Sequence, residues 1–268
     1  MLHIIIHSPA LRALLGLGLA LTWARAQAPT DGFGIYNDSF YVQKPWDKPL
    51  EERYEFKDGV HTMWTYSDDK PLAQGNGSDG RTEMRWNTWT DQKTEHLWTG
   101  DVMIDSGSNQ TCIFQVKSNT TGEAIYLQVF SPGEVHWGSQ GGTTLISGCY
   151  GKWFNLKCAY NPSTGLARVW INDVLKGTQN HKGSAWYFKN GTYGTTKYSR
   201  DHYKNIQTWI KGGGTSAVLA PKATMGRAWP GLTAYSLDGR RVRPESVRRE
   251  ALPALISIPG RLGDPDLR

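Results

Sequence analysis

Three short runs of this chain place groups able to hold a carboxylate and move a proton at two-residue spacing. The first is Arg81-Thr82-Glu83-Met84-Arg85. On a strand alternate side chains share a face, so Arg81, Glu83 and Arg85 point one way while Thr82, Met84 and Trp86 point the other. The planar arginine fork matches a carboxylate, and Glu83 between two arginines can hold their orientation while accepting hydroxyls. The bland reading is a solvated sheet face whose charges compensate one another. In the second run, Cys112-Ile113-Phe114-Gln115-Val116-Lys117, Gln115 and Lys117 share one face and Phe114 and Val116 the other. Gln115 and Lys117 can neutralise a carboxylate, or can be the polar outer side of a half-buried strand. The third, Trp186-Tyr187-Phe188-Lys189-Asn190-Gly191-Thr192-Tyr193, sets Tyr187, Lys189 and Tyr193 on one side. A tyrosine there serves sugar stacking or packing, or proton transfer where a neighbouring cation lowers its pKa.

The elements that must position these residues read as strands. Between Tyr36 and Gly213 short alternating runs rich in Trp, Tyr, Val, Ile and Thr are separated by Gly, Asn, Asp and Ser clusters, with no convincing amphipathic helix longer than a few turns. Candidate strands are Val60–Tyr66, Arg81–Trp86, Glu95–Ile104, Thr111–Lys117, Ala124–Phe130, Lys152–Tyr160, Ala167–Ile171 and Ala185–Lys189. Asn172-Asp173 between two apolar runs signals a tight hairpin. Roughly 190 residues of this pattern predict an all-β domain, a concanavalin-like jelly-roll sandwich of two antiparallel sheets with a sizeable core. The twelve tryptophans suit sugar stacking and sandwich cores equally.

The ends of the chain read differently. Residues 1–26 carry an apolar run from Leu14 to Leu21 followed by Ala24-Arg25-Ala26, the pattern of a signal peptide, so the domain of 27–214 is expected to be secreted and extracellular. That run falls far short of the roughly 20 residues that span a bilayer. Five glycosylation sequons, at Asn37, Asn76, Asn109, Asn119 and Asn190, fit a secreted glycoprotein, although a glycan on Asn190 would obstruct the third motif. Cys112, Cys149 and Cys158 permit one disulfide with one thiol left over, the pairing open, and lack the spacing of a zinc site. The net charge of +6 resides in the ends: residues 27–214 hold 19 Lys and Arg against 19 Asp and Glu, which argues against a nucleic-acid partner. Residues 215–268, rich in Arg and Pro, are expected to form a poorly ordered tail.

Taken together and in order, the three motifs resemble those of the alginate-lyase-like jelly-roll superfamily, polysaccharide lyase families seven and twenty, which carry Arg-Thr-Glu-x-Arg, Gln-x-His and Tyr-Phe-Lys-x-Gly-x-Tyr strands. The resemblance covers about residues 36–213. Gln43-Lys44-Pro45, Arg53-Tyr54-x-Phe56, Gly59-Val60-His61, Asp69-Lys70-Pro71 and Tyr203-Lys204-Asn205-Ile206 look like a secreted plant and fungal branch that includes citrate-binding proteins. The resemblance implies β-elimination on a uronate-containing polysaccharide such as alginate or glucuronan. Gln115, Arg81 and Arg85 would neutralise the carboxylate, Tyr193 would act as acid and where geometry allows as base, and Lys189 would bind substrate and tune Tyr193. Glu83, Lys117 and Tyr187 would complete the substrate-binding face.

The chain departs from the pattern at Lys117, where the lyases place histidine; His61 is an alternative base, though a lone strand histidine is more often structural. Two function classes follow, a secreted polysaccharide lyase and a noncatalytic binding protein for acidic saccharides or polycarboxylates. The altered Gln-Val-Lys motif favours the second, and Tyr193, Lys189 and the complete Arg strand favour the first. A glycoside hydrolase using Asp101 and Asp105, which needs carboxylates roughly 5 to 9 Å apart, ranks third. An acidic polysaccharide is the expected partner of a monomeric domain, with no cofactor, metal, nucleic acid or membrane.

Overall fold

The computed structural model describes residues 28–36 and 38–213, with two further short strands at 234–235 and 241–242; the expected signal peptide, the sequon residue Asn37 and the rest of the expected tail lie outside the described residues. Among the described residues seventeen strands are present: β1 Phe33–Ile35, β2 Phe40–Gln43, β3 Tyr54–Lys57, β4 Val60–Tyr66, β5 Arg81–Trp86, β6 His96–Ile104, β7 Thr111–Ser118, β8 Gly122–Phe130, β9 Glu134–Trp137, β10 Thr143–Ile146, β11 Phe154–Asn161, β12 Leu166–Ile171, β13 Val174–Asn180, β14 Trp186–Tyr193, β15 Tyr198–Lys211, β16 Ala234–Tyr235 and β17 Arg241–Val242. The helical content among the described residues is a single 3-10 turn at Leu50–Glu52.

The strands form the two antiparallel sheets expected of a jelly roll. One runs β13-β12-β11-β6-β15-β4-β3 with β1 also on β15, and the other runs β10-β9-β8-β7-β14-β5-β2-β16-β17. Consecutive strands β14 and β15 enter opposite sheets, β14 between β5 and β7 and β15 between β4 and β6. The hairpin predicted at Asn172-Asp173 joins β12 to β13, and both residues take positive φ, 50° and 65°, as a twist-matched two-residue turn requires. β15 is the longest of the strands missing from those read by alternation, alongside the short β1, β2, β3, β9 and β10. Its inward side carries Asp201 and Tyr203, and a register shift between Lys204 and Gln207, with Asn205 at φ 53°, breaks the two-residue period.

Between the sheets lies a core of large rings. Trp86, Trp98 and Trp186 are fully buried there, and Trp98 meets Phe114 of the other sheet at a centroid distance of 4.9 Å. Trp86, Trp89, Trp98, Trp137 and Trp186 thus fill the sandwich, while Trp170 packs in a separate cluster, Trp64 and Trp209 are partly exposed, and Trp46 and Trp153 are exposed. Asp201 faces this core fully buried, and desolvation drives its pKa well above the ordinary carboxylate range, which favours its neutral form. The expected disulfide does not form: Cys112, Cys149 and Cys158 are all free and all buried, each on a different segment.

The third motif shows how inward side chains set the outward ones. Asn190 turns into the core, where its Oδ1 accepts a 2.8 Å hydrogen bond from Trp86 Nε1, and it is fully buried. A sequon so placed cannot carry a glycan in the folded domain. Next to it, Gly191 has φ +142°, and a Cβ there would sit 2.3 Å from the Thr82 carbonyl oxygen, so β14 lies flush against β5 only with glycine at this position. Asn190→Ala leaves the Trp86 N–H buried without its acceptor and should cost about 1–3 kcal/mol. Urea denaturation measures this, and an unchanged midpoint would mean that the indole finds another acceptor.

Candidate functional site

Strands β5, β14 and β7 are neighbours, and the register aligns their outward residues in rows. Arg85, Lys189 and Gln115 lie side by side, with Tyr41 of β2 and Tyr126 of β8 at the two ends. Tyr187 pairs with Lys117, Gln43 with Glu83, and Arg81, Tyr193, Cys112 and Gln128 form a further row. Thus Arg81, Glu83, Arg85, Gln115, Lys117, Tyr187, Lys189 and Tyr193, more than a hundred positions apart in sequence at the extremes, occupy one outer face of the nine-stranded sheet. Their odd-even partners Met84, Trp86, Val116, Trp186 and Phe188 belong to the core.

At the centre of this face Glu83 is 1 % exposed. Its Oε1 accepts a 2.7 Å hydrogen bond from Gln115 Nε2, its Oε2 lies 2.9 Å from Lys189 Nζ, and Arg81 Nη1 stands further off at 3.8 Å. Lys189 and Gln115 are as buried as Glu83 itself. A charge at this depth persists only when paired, because neither ion keeps its hydration. The Arg85 guanidinium stacks over the Tyr187 ring at 3.7 Å and donates to the Trp86 carbonyl and to Thr88 Oγ1. Lys117 is not in this inner cluster; its ammonium is held 2.8 Å from Glu123 Oε1 of β8, nearer solvent.

Tyr193 is half-buried, with the Arg81 guanidinium 4.1 Å from its ring centroid. Burial raises its pKa and Arg81 pulls it back only in part, so the phenol keeps its proton at neutrality and suits a proton donor better than a base. Among the described residues no group of three or more His, Cys, Asp or Glu is placed to hold a metal ion. The face thus sets Arg81, Arg85 and Lys117 around a floor in which Glu83 is paired with Lys189 and Gln115, and carries a protonated phenol in Tyr193.

One expected site residue is elsewhere. His61 sits on β4 of the opposite sheet and points into the core, 3 % exposed, between the rings of Phe40 and Phe56, with Nδ1 2.8 Å from Tyr54 Oη. Its place on the strand, fixed by Met63 and Thr65 sharing its inward side, makes it a structural imidazole without access to the face. Asp101 and Asp105 also lie on the other sheet, bonded to Asn155 and Asn205 and to His202. Conversely, Tyr41, Gln43, Tyr126 and Gln128 stand on the face without having been read as site residues in the sequence. The alternation of Tyr126 and Gln128 with Ile125, Leu127 and Val129 is a legible signal for an outward side, but nothing local to β2 or β8 says which strand lies next to which.

Two measurements follow from this geometry. Glu83→Ala leaves Lys189 as a buried cation without its carboxylate and should destabilise the domain by about 3–5 kcal/mol; equilibrium denaturation decides, and a loss within error would mean that water or another group replaces Glu83. Desolvation lowers the pKa of His61 from 6.5 to about 4, so the unfolded chain takes the proton first and the stability from neutral His61, complete above pH 6.5, is lost as pH falls toward 4. The stability difference between the wild type and His61→Gln should therefore shrink by about 3 kcal/mol between pH 7 and pH 4. A constant difference would place the ring in contact with water.

No protein-family model matches the sequence. Among solved structures the fold is similar to that of the alginate lyase AlgAT5 of polysaccharide lyase family 7, 17 % identical, covering 68 % of this chain and 98 % of that one with a TM-score of 0.50. The family 7 alginate lyase A1-II' in complex with its substrate is 12 % identical over 70 % of this chain and 99 % of that one, TM-score 0.52. An alginate lyase from Corynebacterium sp. is 12 % identical over 64 % and 93 %, TM-score 0.50. At such identities the likeness is one of fold. In sequence, the citrate-binding protein of Hevea brasiliensis is 31 % identical over 190 residues, which are 68 % of this chain and 79 % of that protein. On a jelly roll of the alginate-lyase type, this chain belongs to the family of the Hevea citrate-binding protein.

Proposed function

We propose that the outer face of β5, β14 and β7 binds carboxylate-bearing ligands, acidic saccharides or polycarboxylates, without cutting them. One observation carries this reading: the groups that would steer an elimination are already committed inside the protein. Glu83 occupies Lys189 and Gln115 at 2.9 and 2.7 Å, and Lys117, where the lyase pattern has an imidazole, is an ammonium held by Glu123. An ion-paired ammonium neutralises charge but has no lone pair with which to take a proton. On the strands of this sheet the imidazole among the described residues is His136, three strands away from Tyr193.

Electrostatics supports binding. Of the four cations on this face Glu83 and Glu123 hold Lys189 and Lys117, while Arg81 and Arg85 stack on Tyr193 and Tyr187, with Asp79 and Asp38 at the margin of the cluster. The Hevea relative is named for binding citrate, a tricarboxylate, which fits the same chemistry. The leader and sequons of the sequence support a secreted location for such a receptor.

A second reading, β-elimination on a uronate polymer such as alginate or glucuronan, is favoured by one specific feature. The protonated Tyr193 phenol beside Arg81 is suited to protonate a departing sugar oxygen. The purified chain should be incubated with alginate, with glucuronan and with citrate, following both calorimetric binding and the ultraviolet absorbance of the unsaturated uronate that elimination creates. Saturable binding without absorbance, weakened about ten- to a hundredfold by Arg85→Ala through loss of a charged hydrogen bond, is the expected result. Absorbance that disappears in Tyr193→Phe would establish the lyase instead.

A further inference from the structure

We propose that β13 is the contact surface of a two-fold dimer, pairing antiparallel with β13 of a second copy of this chain so that the two eight-stranded sheets join edge to edge. The surface belongs to the sheet opposite the binding face, and the dimer replaces the monomer expected from the sequence.

A strand at the end of a sheet leaves a row of N–H and C=O groups without ladder partners, and folded proteins blunt such edges with short strands or charges. β3, which ends the same sheet on its other side, follows that pattern: it has four residues, Glu55 and Lys57 among them. β13 does not. It runs over Val174–Asn180, is exposed along its length apart from the half-buried Gly177, and carries one charge, Lys176. Val174 and Leu175, 56 % and 49 % exposed, are the most exposed large apolar side chains among the described residues.

The backbone of β13 is oriented to receive a further strand. His181 N–H donates to the Gly165 carbonyl at 2.9 Å, continuing the ladder in which Asn180 stands opposite Leu166 of β12. Bonded and non-bonded positions alternate along an antiparallel pair, so Gln179 and Gly177 also spend their groups on β12, while Thr178 and Asn180 turn theirs to the open side. Charge sets the direction of the partner. Asp173, which also meets Lys157 at 2.7 Å, stands just before the strand, and Lys182 just beyond its end. A parallel partner would bring like ends together, whereas an antiparallel one brings each Asp173 toward the partner's Lys182, twice by symmetry. Centred on Gly177, the pairing sets Lys176 opposite the partner's Thr178 and Leu175 opposite the partner's Gln179. A centre one residue earlier would set Lys176 against itself, a like-charge pair.

The inner side of the same flank completes the contact. β10 ends the nine-stranded sheet beside β13, and between the two strands runs an open groove of about 450 Å³ lined by Leu145, Ile146, Ile171, Val174 and Lys176. A stable interface buries roughly 1,200 Å² or more, which is more than one strand pair supplies. With the second copy in place the grooves of both copies face each other across the axis, so their apolar lining leaves water together with Leu175. The axis stands normal to the joined sheet, so the outer faces of both nine-stranded sheets turn to the same side and the dimer presents its two candidate sites together.

The test is sedimentation equilibrium of the full chain, paired with urea denaturation at several protein concentrations. We expect twice the mass of one chain at micromolar concentration, and a urea midpoint that rises with concentration because unfolding separates the copies. Thr178→Pro removes an N–H that β12 does not use, and should give a monomer with the wild-type circular dichroism spectrum and a midpoint independent of concentration. Leu175→Lys puts a charge on the edge at an exposed position and should weaken association at least about tenfold. Should Thr178→Pro fail to fold, Leu175→Lys decides alone. A wild type that stays monomeric up to millimolar concentration overturns the proposal, and so does a dimer that keeps its affinity in the folded variants. Each of these outcomes leaves the carboxylate-binding reading as it stands.

Discussion

A carboxylate sealed beneath the surface of a β-sheet must be matched by donors that stay where they are, and Glu83 imposes this condition on the domain. Its partners Gln115 and Lys189 come from β7 and β14, and its own strand is β5, so the ion cluster exists only while three sequence-distant strands keep their register. Slippage of any strand by one residue would turn its half of the cluster into the core and bring a tryptophan or phenylalanine to the surface. The burial of Trp86, Trp186 and Phe188 on the reverse side is thus the apolar half of the same constraint. Gly191, directly opposite Glu83, allows β14 and β5 to approach closely at that point.

The same cluster shapes what the face offers a ligand. Charges tied up at the floor no longer contribute donors, and the partly exposed rim of Tyr41, Lys117, Glu123, Tyr126, Gln128 and Tyr193 meets solvent instead. The arginines are buried, Arg85 stacked on Tyr187 and Arg81 on Tyr193. Rigid, preorganised cations of this kind favour binding because little side-chain freedom remains to be lost.

The jelly roll itself is neutral as to activity, and the likeness to family 7 alginate lyases fixes an architecture while the chemistry depends on a few side chains. Here one departure from the related pattern is structural as well as chemical. Lys117 stands where the related pattern has histidine, and its neighbour Glu123 converts the position into a surface ion pair. The face keeps a protonated phenol in Tyr193, and the imidazole on the strands of this sheet among the described residues stands three strands away at His136.

Much of this was legible in the residues. Two-residue alternation shows β4, β5 and β7 nearly to the residue, puts Arg81, Glu83 and Arg85 on one side and Met84 and Trp86 on the other, and marks the Asn172-Asp173 hairpin, because strand pleating and turn geometry are local properties of the chain. Alternation says nothing of which sheet a strand joins. For that reason His61 looked like a possible base until packing placed it among Phe40, Phe56 and Tyr54, and three cysteines that composition would pair prove to be separate buried thiols. Gln43, Tyr126 and His136 acquired neighbours only when β2, β8 and β9 took their places in the sheet. The sequence by itself determined which side chains share a face of each strand; the tertiary structure decided which strands are adjacent and which faces turn outward, because those depend on burying both apolar sides against each other across the whole chain.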